Sequence, residues 1–209
     1  MAYKRCSCRG KKSLIASERD EKARKQFGTL TKSLASEAYV FIDEMGSKLG
    51  LTRVYGRAAP GQRGRDYVPG DRGGTVSTLG AMSLDGMRTG LSVPGAIAGE
   101  AMLFFVEEFL VPTLKRGDIV VMDNNPIHKL DEIEDAIAAA GARVLFLPTS
   151  SPDRNPIARC WSKVKSRLRA RKPRTLEDLW AALTDALASI TPHDILSWFR
   201  HCGYRGASI

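Results

Sequence analysis

The segment GDIVVMDNNPIHKLDEIEDAIAAAGARVLFLP, residues 117–148, predicts the centre of the fold. Ile119–Met122 is a continuous apolar run, which is typical of a strand that is covered on both faces. The pattern at 130–140 favours a helix that stops at Gly141, and a second apolar run follows at 143–148. Strand, helix and strand in this order indicate a right-handed crossover between two parallel strands.

The segments before this unit predict antiparallel strands. The run AYVFID at 38–43 is short, apolar and rich in β-branched and aromatic residues, as in a buried strand. Further strand candidates lie at 53–58 and 75–93, and the Asp85-Gly86 pair within the second is a strong hairpin signal. Apolar residues at helical spacing predict a helix over 99–115. The chain therefore reads as an antiparallel meander that continues into parallel strands, with helices packed on the sheet.

Both ends of the chain are predicted to be helical. Residues 1–36 are polar and basic, with a weak helical pattern that Gly28 is expected to break, so we expect an arm or a helix against the body. At the other end, 155–172 places its apolar residues on one stripe. Thr175 is expected to cap the next helix, and a last helix begins near Thr191.

The bulk composition is that of a soluble globular protein. The chain has 209 residues, of which 43% are hydrophobic and 26% are charged, enough for one well-formed core. No apolar stretch approaches the roughly 20 residues that cross a bilayer, and the first residues lack the apolar centre of a secretory signal. We therefore expect a cytoplasmic protein without a membrane partner.

The net charge of +9 is concentrated in two segments. Residues 1–33 hold ten Lys and Arg against three acids, and residues 159–174 hold eight against none. The rest of the chain has more acidic than basic residues. This distribution is typical of a protein that binds a polyanion, although a solvated basic helix is the alternative.

Two of the predicted buried strands end on an aspartate, Asp43 and Asp123. The carboxyl ends of parallel strands form the ligand crevice of open α/β sheets, so these acids are expected to converge there. Pairs of carboxylates suit hard divalent cations such as Mg²⁺ or Mn²⁺. The alternative is that each Asp merely caps the turn after its strand.

Five segments, in order and with plausible spacing, resemble the catalytic region of the mariner-like DDE transposases, in their bacterial insertion-sequence branch. The segments are YVFIDEMG, VYGRAAPGQR, TLGAMSLDG, GDIVVMDNNPIHK and GARVLFLPTSSPDRNPI. The resemblance implies a ribonuclease-H-like α/β fold for residues 37–209: a mixed five-stranded sheet with helices on both faces. Residues 1–36 would then be a truncated basic arm, too short for the helix-turn-helix modules that usually precede this domain.

The resemblance also implies a catalytic site of two aspartates and one glutamate that hold two divalent ions, Mg or Mn, for cutting and joining DNA strands. Asp43 matches the first aspartate and Asp123 the second. In this branch the glutamate follows after 34 intervening residues, and Ala158 occupies that position here. A methyl group cannot bind a metal, so we expect the chain to be strongly impaired in DNA cleavage.

The basic segment is the expected contact to the DNA backbone, because Lys and Arg neutralise phosphates and release counterions. The candidate residues are Arg159, Lys163, Lys165, Arg167, Arg169, Arg171 and Lys172. His128 falls where the family has a His-Lys pair and is either an accessory group near the site or a structural contact.

The expected partners are double-stranded DNA, as transposon ends and target, and a second copy or another chain that recognises the ends. We expect the protein to lie in the bacterial cytoplasm, associated with the nucleoid. Two other functions stay open: a non-catalytic DNA-binding or dimerising relative that regulates an intact transposase, and a nuclease of similar fold that acts on RNA or hybrid duplexes.

Overall fold

A computed structural model describes residues 16–53, 55–68, 74–125 and 129–204. The strands are β1 (Tyr39–Lys48), β2 (Thr75–Ser83), β3 (Gly86–Pro94), β4 (Ile119–Met122) and β5 (Arg143–Phe146). The helices are α1 (Glu21–Lys32), α2 (Gly99–Phe104), α3 (Asp131–Ala139), α4 (Pro156–Arg171), α5 (Leu176–Ala188) and α6 (Pro192–His201). The chain continues from α2 through a π-helical turn at Phe105–Leu110.

The five strands form one mixed sheet in the order β3-β2-β1-β4-β5. β1, β2 and β3 pair antiparallel, whereas β4 pairs parallel with both β1 and β5. The predicted hairpin joins β2 and β3, with Ser83 opposite Gly86. The predicted antiparallel meander and parallel unit are therefore confirmed.

Alternation along the strands divides the core into two layers, one on each face of the sheet. On one face Phe41 of β1 and Val121 of β4 pack with residues of α4, α5 and α6. On the other face Val40 and Val120 pack with α2, the π-helical turn and α3. Helices cover both faces, as predicted.

The strand predicted over 53–58 does not form in the described part of that range. The segment around Tyr55 resembles a strand in its residue types, but the Tyr55 side chain is 90% exposed and contributes nothing to a core. Instead β1 runs five residues beyond the predicted end and pairs with β2 as far as Lys48 opposite Thr75. Asp43 therefore lies within β1 and not at its end.

The amino-terminal segment contains one α-helix in its described part, which is continuous from Glu21 to Lys32. α1 runs through Gly28, which was expected to break it. A β-carbon at Gly28 would lie 3.3 Å from the Arg154 guanidinium, so the glycine allows this helix to approach the body closely. Phe27 is buried in the same core layer as α4.

None of the helices in the described residues is both long enough and apolar enough to span a membrane.

Candidate active site

The register of the sheet places Asp43 beside Asp123. The parallel pairing of β1 and β4 ends with Phe41 opposite Val121, and each aspartate follows two residues later. Because side chains two residues apart share a face, both aspartates lie on the face that contains Phe41 and Val121, which α4 covers. They thus lie where β1 separates from β4 and continues along β2 alone.

A close contact sets the position of α4 over this point. Asp43 is paired across the antiparallel ladder with Gly80 of β2. A β-carbon at Gly80 would lie 2.7 Å from the ring of Trp161, so only glycine leaves room for this ring. Trp161 is one helical turn after Ala158, and its buried ring therefore holds the first turn of α4 near the two aspartates.

Asp43, Asp123 and Ala158 line one cleft of about 310 Å³. The wall is completed by Asn124 and Asn125, by the segment from Leu147 to Pro152 and by Asn155. Local amide groups orient the carboxylates: Glu44 N–H donates to Asp43 Oδ1 at 2.9 Å, and Asn125 N–H donates to Asp123 Oδ1 at 3.1 Å. The structure therefore brings together the three positions that the sequence singled out, although the third presents only a methyl group.

The donors in the cleft fit a hard divalent cation, but not the full three-acid set. Asp43, Asp123 and the side-chain carbonyl of Asn155 offer oxygen ligands, and Asn155 Oδ1 is buried without a hydrogen-bond partner among the described residues. No group of three His, Cys, Asp or Glu residues that could hold a metal occurs in the described parts of the chain. Ala158 accounts for this, because a carboxylate there would make a third acid beside the cleft.

The cleft wall is held from outside by α1. Arg24, only 5% exposed, donates from Nη1 to Asp153 Oδ1 at 3.0 Å and from Nη2 to Oδ2 at 2.6 Å. The same Nη1 also donates to Ser151 Oγ at 2.6 Å. The Arg24 guanidinium lowers the pKa of Asp153 below its ordinary value, and Asp153 is not among the residues that line the cleft. Asp153 is thus a structural partner of Arg24 and does not replace the missing acid.

Asp153→Asn is expected to lower the free energy of unfolding by about 1–2 kcal/mol at pH 7, because it leaves the buried Arg24 guanidinium with only the longer contact to Glu21, at 3.8 Å. The effect is small because the Asp153 side chain is 50% exposed, so that water screens the ion pair. Since the native pKa is lowered, the contribution is present above the ordinary carboxyl pKa and is lost as the pH falls through the native value. Urea unfolding of both proteins at pH 7 and at about pH 3 tests this. A constant difference between the proteins at the two pH values would contradict it.

The predicted DNA-contacting residues divide into two groups. Lys163 pairs with Asp194, Arg171 pairs with Asp185, and Lys172 pairs with Asp66. These three contacts join α4 to α6, to α5 and to the loop that follows β1. Arg159 lies beside Cys202, where burial raises the pKa of the thiol and Arg159 lowers it.

Other basic residues of α4 form no such ion pairs with the described residues. No ion pair or hydrogen bond to another described residue engages the side chains of Lys165, Arg167 and Arg169. Arg167 also lines an open groove that runs along α4 and includes Ala158 of the cleft. Arg159 and Lys163 line the same groove, whereas Lys165 and Arg169 do not. Arg167 is therefore the basic residue of α4 that combines a place in the groove with a side chain not engaged by an ion pair. His128, the proposed accessory group, lies outside the described residues.

Sequence reasoning missed Arg24, Gly80 and Asn155. The roles of Arg24 and Gly80 depend on contacts with residues far along the chain, which no local pattern reveals. Asn155 did have a local signal, because an Asn directly before a proline at a helix start is a strong candidate for the N-cap.

Comparisons with known proteins agree with this architecture. The family model of the DDE superfamily endonucleases matches residues 38–180, which include all three cleft positions. The fold is similar to that of Mos1 transposase in its paired-end complex with the left transposon end, with a TM-score of 0.79 at 15% identity, covering 95% of this chain and 64% of that chain. The Mos1 mariner paired-end complex with Mn gives 0.71 at 15% identity, covering 91% and 61%.

The Mos1 mariner catalytic domain alone gives a TM-score of 0.60 at 14% identity, covering 91% of each chain. No curated protein matches the sequence significantly. The present chain thus spans about 64% of the length of the Mos1 chain in its paired-end complex. Because the matching family model covers more than half of the sequence, the chain belongs to the DDE superfamily endonucleases, and it has the ribonuclease-H-like fold of the mariner transposase catalytic domain.

Proposed function

We propose that this chain is the catalytic domain of an insertion-sequence transposase that cleaves and joins DNA strands with divalent metal ions, and that Ala158 impairs it. The observation that supports this most is the shared cleft of Asp43, Asp123 and position 158, at the point where β1 and β4 separate. Residues 37–209 would form this domain, with 1–36 as a basic arm, in the bacterial cytoplasm beside the nucleoid.

The chemistry proposed for the cleft is phosphoryl transfer. When bound, Mg²⁺ or Mn²⁺ would lower the pKa of an attacking water or 3′ hydroxyl and stabilise charge on the departing oxygen. Asp43 and Asp123 would hold the metal, fixed by the amide groups of Glu44 and Asn125. Without an acid at position 158, one of the two expected ions loses a ligand and part of the negative charge that binds it.

The proposed substrate is double-stranded DNA. Structures of Mos1 transposase contain a transposon end, and its paired-end complexes have been solved with Mn and with Mg. In this chain the groove beside α4 shares Ala158 with the cleft and carries Arg167, so a strand in the cleft can continue along a basic surface. Recognition of the transposon ends would come from a second copy or from another chain.

The alternative is a non-catalytic DNA-binding relative that regulates an intact transposase. The missing third acid favours it, because a regulator needs the fold and the basic surface but no metal. Under that alternative the two aspartates would have no common ligand, so metal binding separates the two functions.

The proposed function predicts Mn²⁺ binding that depends on the cleft. In calorimetric titrations, Asp43→Asn and Asp123→Asn should each weaken Mn²⁺ binding about tenfold or more, because each removes a charged ligand. Asp85→Asn is the matched control, since it makes the same change at an exposed hairpin turn outside the cleft and should leave the affinity unchanged. Equal Mn²⁺ affinity in all four proteins, or no binding at all, would favour the regulator.

A further inference from the structure

Asn155 occupies the N-cap position of α4 but does not cap the helix. Asn at this position ordinarily accepts a hydrogen bond from an amide of the first turn. Its side chain makes no such bond here. Elsewhere in the chain Asp20, Thr175 and Thr191 make the expected bond at α1, α5 and α6. The free cap acceptor of α4 therefore calls for another explanation.

The side-chain oxygen of Asn155 is buried and unsatisfied. The residue is 4% exposed, and Oδ1 has no hydrogen-bond partner among the described residues. Leaving a buried acceptor without a partner is costly, so such an atom is usually paired with something. Asn155 lines the cleft together with Asp43 and Asp123, so the cleft is the space beside this side chain.

The charged groups that share the cleft with Asn155 Oδ1 indicate a positively charged partner for this oxygen. The charged side chains that line the cleft are the carboxylates of Asp43 and Asp123, which repel anions, and the other polar residues of its lining are neutral amides and hydroxyls. A phosphate or carboxylate placed against three acceptor oxygens is unfavourable. A hard divalent cation is favoured, because it takes carboxylate and Asn carbonyl oxygens as ligands.

We propose that Asn155 Oδ1 is a third oxygen ligand of the divalent cation held by Asp43 and Asp123. This proposal rests on the function proposed above, since it needs a metal in the cleft. Asn155 precedes Ala158 by one helical turn, so it lies on the same end of α4 as the position of the missing acid. It supplies an oxygen but no charge, and the site therefore keeps a metal more weakly than one with three carboxylates.

Mn²⁺ titration of two variants tests the proposal. Asn155→Leu removes the oxygen while keeping the size, and it should weaken Mn²⁺ binding about tenfold or more. Its melting temperature without metal should not fall, because no cap bond is lost. Asn155→Asp adds charge to the oxygen and should bind Mn²⁺ more tightly than the wild type.

The outcomes separate the two proposals. Loss of Mn²⁺ binding in Asp43→Asn and Asp123→Asn with wild-type binding in Asn155→Leu would overturn the role of Asn155 and leave the proposed function standing. No aspartate-dependent Mn²⁺ binding in the wild type would overturn both. If Asn155→Leu does not fold, Asn155→Asp decides: Mn²⁺ binding no tighter than that of the wild type would overturn the role of Asn155 as a ligand.

Discussion

Ala158→Glu is expected to raise Mn²⁺-dependent nicking of duplex DNA by about a hundredfold or more, which corresponds to about 2.7 kcal/mol in the activation free energy. Ala158 lines the cleft that contains Asp43 and Asp123, so the introduced carboxylate joins theirs in the same cleft. It adds both a ligand and a negative charge for the second ion. Supercoiled plasmid relaxation in the presence of Mn²⁺ or Mg²⁺ measures the effect.

The fold should accept this substitution without loss of stability. Ala158 is partly exposed, and the first turn of α4 contains no acid, so a glutamate there interacts favourably with the helix dipole. A glutamate at the third helical position can also reach back to the N-cap amide. That amide, Asn155 N–H, already donates to Pro152 O at 3.1 Å, so the new side chain remains available to the cleft.

Two controls distinguish catalysis from a change in shape. Ala158→Gln adds similar bulk without charge and should nick DNA far more slowly than Ala158→Glu. Ala158→Glu combined with Asp123→Asn should return to the wild-type level, because the metal loses another carboxylate. Equal nicking by the wild type and Ala158→Glu would contradict the assignment of position 158.

The sequence predicted the sheet well because its strands obey simple burial rules. β4 and β5 were found as short apolar runs on either side of a helix, and the Asp85-Gly86 pair located the hairpin. The error at 53–58 arose because alternation shows which residues could form a strand but not whether a neighbouring strand has a free edge. The extension of β1 along β2 supplies that pairing instead.

The prediction of the site from the sequence was limited in the same way. Asp43 was expected at the end of a strand, yet it lies within β1; what brings it to Asp123 is the end of pairing with β4. The wall of the cleft depends on Arg24, which bonds to Ser151 across 127 positions of the chain. Residue types and spacing identify candidate ligands, but the packing that aims them follows from contacts that only the folded chain provides.

Removing the three basic side chains of α4 that form no ion pair is expected to weaken DNA binding strongly. Lys165→Gln, Arg167→Gln and Arg169→Gln together should weaken DNA binding at least tenfold at low salt. The slope of log K against log salt should become shallower by about 2.7, at roughly 0.9 for each phosphate that the variant no longer neutralises. Fluorescence anisotropy with labelled duplex DNA at several salt concentrations measures both quantities. Because phosphate binding carries no sequence information, the decrease in affinity should be equal for unrelated duplexes.

The structure offers a control with the same change in charge at the other end of the sheet. Lys115, Arg116 and Arg143 are exposed near the amino ends of β4 and β5, whereas the cleft lies at the carboxyl ends. Converting these three to Gln lowers the net charge equally but should leave the salt slope nearly unchanged. If both triple variants reduce the slope alike, DNA binds through overall charge, and α4 is not its docking surface. A decrease confined to the α4 variant would instead show that the strand leaves the cleft along this helix, because only phosphates neutralised locally release counterions there.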